Sequence, residues 1–188
     1  MSTAPAQLSE RVRPLRRVEY EQLVDAGHLA NEKVELIHGL IVRMSPEGAH
    51  HAAAVQKLTQ LLVVALGISG RAAVRVQLPL ALGEDSEPEP DLAAVPPASY
   101  KDEHPTKAFL VIEVAESSLS EDRREKGVLY AENGIPEYWI VDTARERVEV
   151  HSEIIDAAYS RVTPYRRGDV VASSVFTELK VRVDDIFG

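Results

Sequence analysis

The 188-residue chain contains no cysteine, which excludes disulfides and thiolate metal sites, so any metal must be held by carboxylate, carbonyl or imidazole groups. Oxygen donors of that kind favour magnesium, manganese or calcium. Long apolar runs are also missing. The most hydrophobic stretch, around Leu61 to Ala65, is far too short to span a bilayer. The N-terminus is polar and proline-containing where a signal peptide would have an apolar core, and the expectation is a cytoplasmic protein with no membrane partner. Positive charge is in deficit: 21 Lys and Arg stand against 30 Asp and Glu, a formal net charge of −9. A surface that binds nucleic acid through its phosphates is normally basic, so such a function would have to rest on local clusters. Three exist, at Arg11, Arg13, Arg16 and Arg17, at Arg123, Arg124 and Lys126, and at Arg161, Arg166 and Arg167. Taken singly, each reads most simply as a solvated face or tail.

With 45% hydrophobic and 27% charged residues, the chain has the composition of a soluble globular domain long enough to bury a sizeable core. Residues 1–16 mix Ala, Pro, Ser and Arg without periodicity and read as a mobile arm; residues 17–188 read as a single domain. Val18 to Ala26 carries helical spacing, and Lys33 to Met44 reads as two strands joined by a tight turn at Gly39. Pro46 and Glu47 open a longer helix whose Val55, Leu58, Leu62 and Leu66 recur at intervals of three and four. Arg75 to Leu82 reads as a strand, with Pro79 at an edge or bulge. Residues 83–90 read as a solvated acidic loop, and Leu92 to Val95 as a short strand.

Phe109 to Asp142 then combines an apolar strand, a helix and a second apolar strand. Ser118 and Glu121 form a capping box for the helix, and Asn133-Gly134 followed by Pro136 ends it. Strand, helix and strand in about thirty residues make a βαβ unit. Short alternating strands follow from Val148 to Val183. The order predicts an α/β fold with a mixed central β-sheet flanked by helices and additional β hairpins.

Asp91 and Glu113 are carboxylates at or within apolar strands, where an unpaired charge is costly. If those strands are neighbours, both can converge on one divalent cation, with the Val114 carbonyl as a third ligand. Such a site can activate a water and stabilise charge on a phosphate. Glu35, from the first hairpin, is available as a further ligand or to orient a water. Ala115, two residues beyond Glu113 on the same strand face, brings no charge. On the helix, Asp122, Lys126 and Tyr130 lie four apart on one face, so Lys126 can reach the site instead, to stabilise phosphate charge or orient the nucleophile.

Pro90-Asp91, Glu113-Val114-Ala115, the Asp122, Lys126, Tyr130 series and Gly134-Ile135-Pro136-Glu137-Tyr138-Trp139 together resemble the Uma-two family of restriction endonucleases, in the PD-(D/E)xK nuclease superfamily. Glu35-Leu36-Ile37-His38-Gly39 and Met44-Ser45-Pro46 with a following His extend the likeness from about Tyr20 to Val183. The resemblance implies a restriction-endonuclease-like fold and a metal-dependent DNA endonuclease with Mg2+ or Mn2+ at Asp91 and Glu113. It also implies an acidic contribution from Glu35. The superfamily lysine, expected where Ala115 stands, would be replaced by Lys126. Of His50 and His51, His51 matches the family position, since Leu58 then falls at the expected offset; with Asp122 and Tyr130 it is expected to support the site or touch substrate. A homodimer is implied too, because endonucleases of this fold often pair to reach two strands.

Blander readings compete with each assignment. Asp91 could cap a turn, Lys126 could be an exposed helical partner of Asp122, Glu35 could lie on the polar face of a hairpin, and Tyr130 and Trp139 could be core aromatics. The acidic net charge and Ala115 leave open a second class of function, an inactive nuclease-like fold that serves as a nucleic-acid or protein binding module.

Overall fold

The computed structural model describes residues 12–115 and 121–188, and at 121–125 the description is of the backbone. In chain order the elements are α1 (Arg17–Asp25), β1 (Val34–Ile37), β2 (Leu40–Arg43), α2 (Ala49–Leu62) with a wide π turn at Val63–Gly67, β3 (Ala73–Val76), β4 (Leu92–Val95) and β5 (Leu110–Ala115). They continue with α3 (Glu121–Glu132), β6 (Glu137–Asp142), β7 (Arg147–Ile155), β8 (Ala158–Arg166), β9 (Val170–Ala172), β10 (Lys180–Arg182) and α4 (Val183–Phe187).

Strands β4, β5 and β6 are buried along their whole length, so both of their faces must be covered. They sit at the centre of a six-stranded sheet ordered β3-β4-β5-β6-β7-β8, in which β5 and β6 are parallel and every other pair is antiparallel. This is the expected α/β architecture with a mixed sheet, and α3 is the crossover between the parallel strands. Alternation along β5 and β6 divides the core in two. Ile112, Val114, Trp139 and Val141 pack with Leu58 and Leu62 of α2 on one face. Val111, Tyr138 and Ile140 pack with Leu129 and Tyr130 of α3 on the other. Each fully buried leucine, such as Leu58, contributes about 2 kcal/mol by leaving water. Glu113 shares the α3 face with Val111 and is therefore aimed at the crossover helix.

The β1–β2 hairpin turns at His38 and Gly39, both with positive φ (47° and 75°), the pattern of a two-residue hairpin turn. Gly39 is needed twice over, since a Cβ there would collide with Pro14. Of the expected arm, residues 1–11 lie outside the described residues; Leu15 donates its N–H to the Gly39 carbonyl at 3.0 Å. The capping box at Ser118 and Glu121 likewise lies outside the described residues. Glu137, one residue of the Gly134 to Trp139 motif, is fully buried but satisfied: Trp139 Nε1 donates to it at 2.7 Å and the Ser174 N–H at 2.7 Å.

Three local expectations need correction. The long helix begins at Ala49 rather than at Pro46 and Glu47, with Gly48 as its cap residue. The strand expected over Arg75 to Leu82 stops at Val76, because Gln77 takes a positive φ of 49° and turns the chain out of the ladder. From there to Asp91 the chain doubles back on itself, with Leu80 N–H on the Pro88 carbonyl at 2.9 Å and Leu82 N–H on the Ser86 carbonyl at 3.0 Å. Finally, the acidic loop at 83–90 is not simply solvated: Ser86 and Glu87 are buried, because Glu87 and Leu36 exchange backbone hydrogen bonds that dock the loop on β1.

That docking leaves the Glu87 carboxyl inside. Burial pushes its pKa up to about 7, helped by the neighbouring Glu21 carboxyl and opposed by Arg17. A carboxyl raised on folding binds its proton more tightly in the native state, so its contribution to stability is full below about pH 4.5 and is lost as the pH rises through about 7. Chemical denaturation of Glu87→Gln between pH 4.5 and 8 should show a flatter profile than the wild type. The variant should gain up to about 3 kcal/mol at the alkaline end; parallel profiles would mean that Glu87 ionises freely.

Candidate active site

Antiparallel pairing of Leu92 with Ile112 sets Asp91, the residue just before β4, beside Glu113 on β5. Both carboxylates are buried, at 7% and 8% exposure. Asp91 is held tightly. Its Oδ2 accepts the Val114 N–H at 2.8 Å and lies 3.0 Å from His51 Nε2, and its Oδ1 is 3.4 Å from Gln77 Nε2. The positive φ that ends β3 at Gln77 is what turns that amide toward Asp91, whose backbone carbonyl also accepts the Gln77 N–H at 3.1 Å.

Glu113 meets the crossover helix. Lys126 Nζ lies 3.2 Å from Glu113 Oε1 and 2.9 Å from Glu35 Oε1, so one ammonium bridges β5 and β1. Tyr130, one helical turn further along α3, donates its hydroxyl to the same Glu113 Oε1 at 2.7 Å. The second oxygen of Glu35 accepts the Glu89 N–H at 3.1 Å, which ties the docked loop to the site.

Burial sets the protonation of this group. It pushes Glu113 above the usual carboxylate range, against the pull of Lys126 and with the help of the Asp91 and Glu35 charges. Burial alone would lower Lys126, but Glu113 and Glu35 outweigh it and raise the ammonium further, so it stays charged. Tyr130 is driven well above its ordinary value by burial and by Glu113, and so remains a neutral donor. His51 is lowered by burial but raised more by its hydrogen bond to Asp91 and by the Asp91 and Glu47 charges, for a net upward shift.

The structure thus brings Asp91, Glu113, Val114, Lys126, Glu35, Tyr130 and His51 to one end of the sheet. Lys126 is not an exposed helical partner, being 15% exposed at its side chain. The Asp122 side chain lies outside the described residues. Two neighbours were missed by sequence reasoning. Glu47 stands with His51 and Asp91 in a group whose potential ligand atoms all lie within 4.8 Å of one another. Its spacing of four from His51 is the one trace it leaves in the sequence. Gln77 left none, since its role follows from a backbone turn. His51 is buried at 8% exposure, and its Nδ1, 3.7 Å from Glu47 Oε2, has no hydrogen-bond partner among the described residues.

The geometry is that of a buried carboxylate pair with a cation on one flank and an imidazole with a further carboxylate on the other. No curated protein matches this chain. A solved structure described as a "putative nuclease belonging to DUF820 from Anabaena variabilis ATCC 29413" superposes with a TM-score of 0.68 over 82% of this chain and 89% of that one, at 18% identity, which shows a shared fold. A family model described as "Uma2: Putative restriction endonuclease" matches residues 17–184. The chain belongs to the family of that model, Uma2.

Proposed function

We propose that this chain is a metal-dependent endonuclease that hydrolyses the phosphodiester bonds of DNA at the cluster around Asp91 and Glu113. The observation that carries the reading is Lys126, a buried ammonium held between two carboxylates beside a third that has its own potential ligands. The donor set fits a divalent ion. Asp91, Glu47 and His51 supply two carboxylates and an imidazole, and the orphaned buried His51 Nδ1 is an atom that a ligand would satisfy. Glu113 and the Val114 carbonyl would hold the ion from the strand side, and an oxygen-rich set of this kind suits Mg2+ or Mn2+. When bound, such an ion polarises the scissile phosphate and favours ionisation of an attacking water.

The protein's own groups do the rest. Lys126, charged throughout the neutral range, donates toward negative charge that builds on the phosphate or fixes the attacking water. Glu35 positions Lys126 by gripping the same ammonium. Tyr130 and Lys126 both fix Glu113 Oε1 and so set the orientation of that carboxylate. His51 and the Val114 N–H do the same for Asp91. The net charge of −9 and Ala115 favour a second reading, a module of the same fold that binds metal or nucleic acid without turnover.

Supercoiled plasmid and single-stranded DNA incubated with the protein and Mg2+ or Mn2+ should be cleaved, and Asp91→Asn or Glu113→Gln should slow cleavage by about a hundredfold or more. Calorimetry should show Mn2+ binding that Asp91→Asn abolishes. Cleavage undiminished in Asp91→Asn would overturn the site, and Mn2+ binding without any cleavage would select the binding module.

Lys126→Met should strand two buried carboxylates and cost about 3–5 kcal/mol of stability at pH 8. The loss should shrink as the pH falls and those carboxyls take up protons, as read by urea denaturation. A variant as stable as the wild type at pH 8 would contradict the buried bridge.

A further inference from the structure

Outside the cluster, an open cleft of about 430 Å³ is lined by Arg145, Arg147, Arg166, Arg167 and Glu146. Four arginines in one cleft are unexpected in a chain of net charge −9. The sheet register says where they lie. Ala115 pairs with Asp142, Asp142 with Arg147, and Arg147 with Arg166, so these four residues form one row across β5, β6, β7 and β8. Residues paired in this way project from the same face, and Glu113, two residues before Ala115, shares it. The β6–β7 turn is fastened to this end of β5, since the Thr143 N–H and Oγ1 both donate to the Ala115 carbonyl, at 2.7 and 2.8 Å. Three strand spacings of about 4.8 Å put the Arg166 backbone roughly 14 Å from that of Ala115.

Carboxylates organise three of the arginines. Asp142 holds Arg145 at 3.1 Å and Arg147 at 3.3 Å, Glu149 holds Arg147 at 3.0 Å, and Arg167 pairs with Glu146 and Asp184. Arg166 differs: it is exposed, and among the described residues no carboxylate lies within ion-pair distance of its guanidinium. It stands directly opposite Arg147, whose charge Asp142 and Glu149 already balance. An anion seated in the cleft would give the Arg166 guanidinium the partner that the other three arginines have, and a phosphodiester, with two non-bridging oxygens, matches the fork geometry.

We propose that the cleft formed by Arg147 and Arg166, on the same sheet face as Glu113, binds a backbone phosphate of a nucleic-acid strand whose scissile bond lies at the Asp91 and Glu113 cluster. This extends the nuclease reading and rests on it for the identity of the strand. A separation of roughly 14 Å is short on the scale of a duplex that rises about 3.4 Å per nucleotide, so the cleft would grip the substrate within a few nucleotides of the cut. Base identity plays no part in such a contact, which positions the strand and raises affinity.

Fluorescence anisotropy of a labelled 20-base-pair DNA duplex, with an RNA duplex as a parallel arm, tests this in EDTA so that cleavage does not interfere. Arg166→Ala should weaken binding by about tenfold and flatten the slope of log affinity against log salt by about one. Arg166→Lys should restore most of the slope. Arg161→Ala, which removes an arginine from the opposite face of β8, should bind like the wild type. Equal affinity and slope in Arg166→Ala and the wild type, or equal losses in Arg166→Ala and Arg161→Ala, would overturn the proposal while leaving any cleavage activity intact. Binding that depends on Arg166 in a protein that cleaves nothing would sustain the cleft and remove the nuclease reading. A stronger effect on one duplex names the strand that the cleft takes.

Discussion

Lys126 carries a full charge into a space from which water is nearly excluded, and two carboxylates from distant parts of the chain make this tolerable. Glu113 arrives on the central parallel strand and Glu35 on the first hairpin; the crossover helix delivers the ammonium between them. Each partner is costly to bury alone, so the three positions depend on one another and on the packing that brings β1, β5 and α3 together. The docked loop at 83–90 belongs to the same arrangement, because the Glu89 N–H caps Glu35 and Glu87 pairs with Leu36. A change in the hairpin is thereby felt at the ammonium.

The cluster is asymmetric. On the α3 side, Lys126 and Tyr130 converge on a single oxygen of Glu113. On the α2 side, His51 and Glu47 gather at Asp91, with one imidazole nitrogen left unpartnered. One flank therefore offers donors to negative charge and the other offers lone pairs to a cation. That division is set by which helix covers which face of the sheet. The same face continues outward along the row from Ala115 to Arg166, in which Asp142 pairs with Arg147 and Arg166 stands exposed on the edge strand. A protein acidic on average can in this way present an arginine that has no carboxylate partner among the described residues.

Much of the scaffold was legible in the residues. The apolar runs at Leu110 to Ala115 and Glu137 to Asp142, with helical spacing between them, define the crossover unit. Alternation from Arg147 onward marks a strand with one exposed face, and His38-Gly39 marks the hairpin turn. These are local properties, because side-chain periodicity of two or 3.6 is a consequence of backbone geometry alone. The errors were local properties overridden by long-range ones. Arg75 to Leu82 has strand character, yet Gln77 leaves the ladder and Leu80 and Leu82 pair with a returning loop. The acidic residues at 84–89 look solvated until β1 claims Glu87.

By itself the sequence determined that no metal ligand is a thiolate, that two carboxylates are carried by apolar strands, and that Lys126 lies four residues from Tyr130 on one helix face. Only the tertiary structure decided that this lysine is shared with Glu35, that Asp91 has Glu47, His51 and Gln77 around it, and that Arg147 faces Arg166. The reason is physical. Composition and periodicity constrain what one segment can bury, whereas the meeting of side chains from separate segments depends on strand register and on where the backbone turns, and neither is encoded in any one segment.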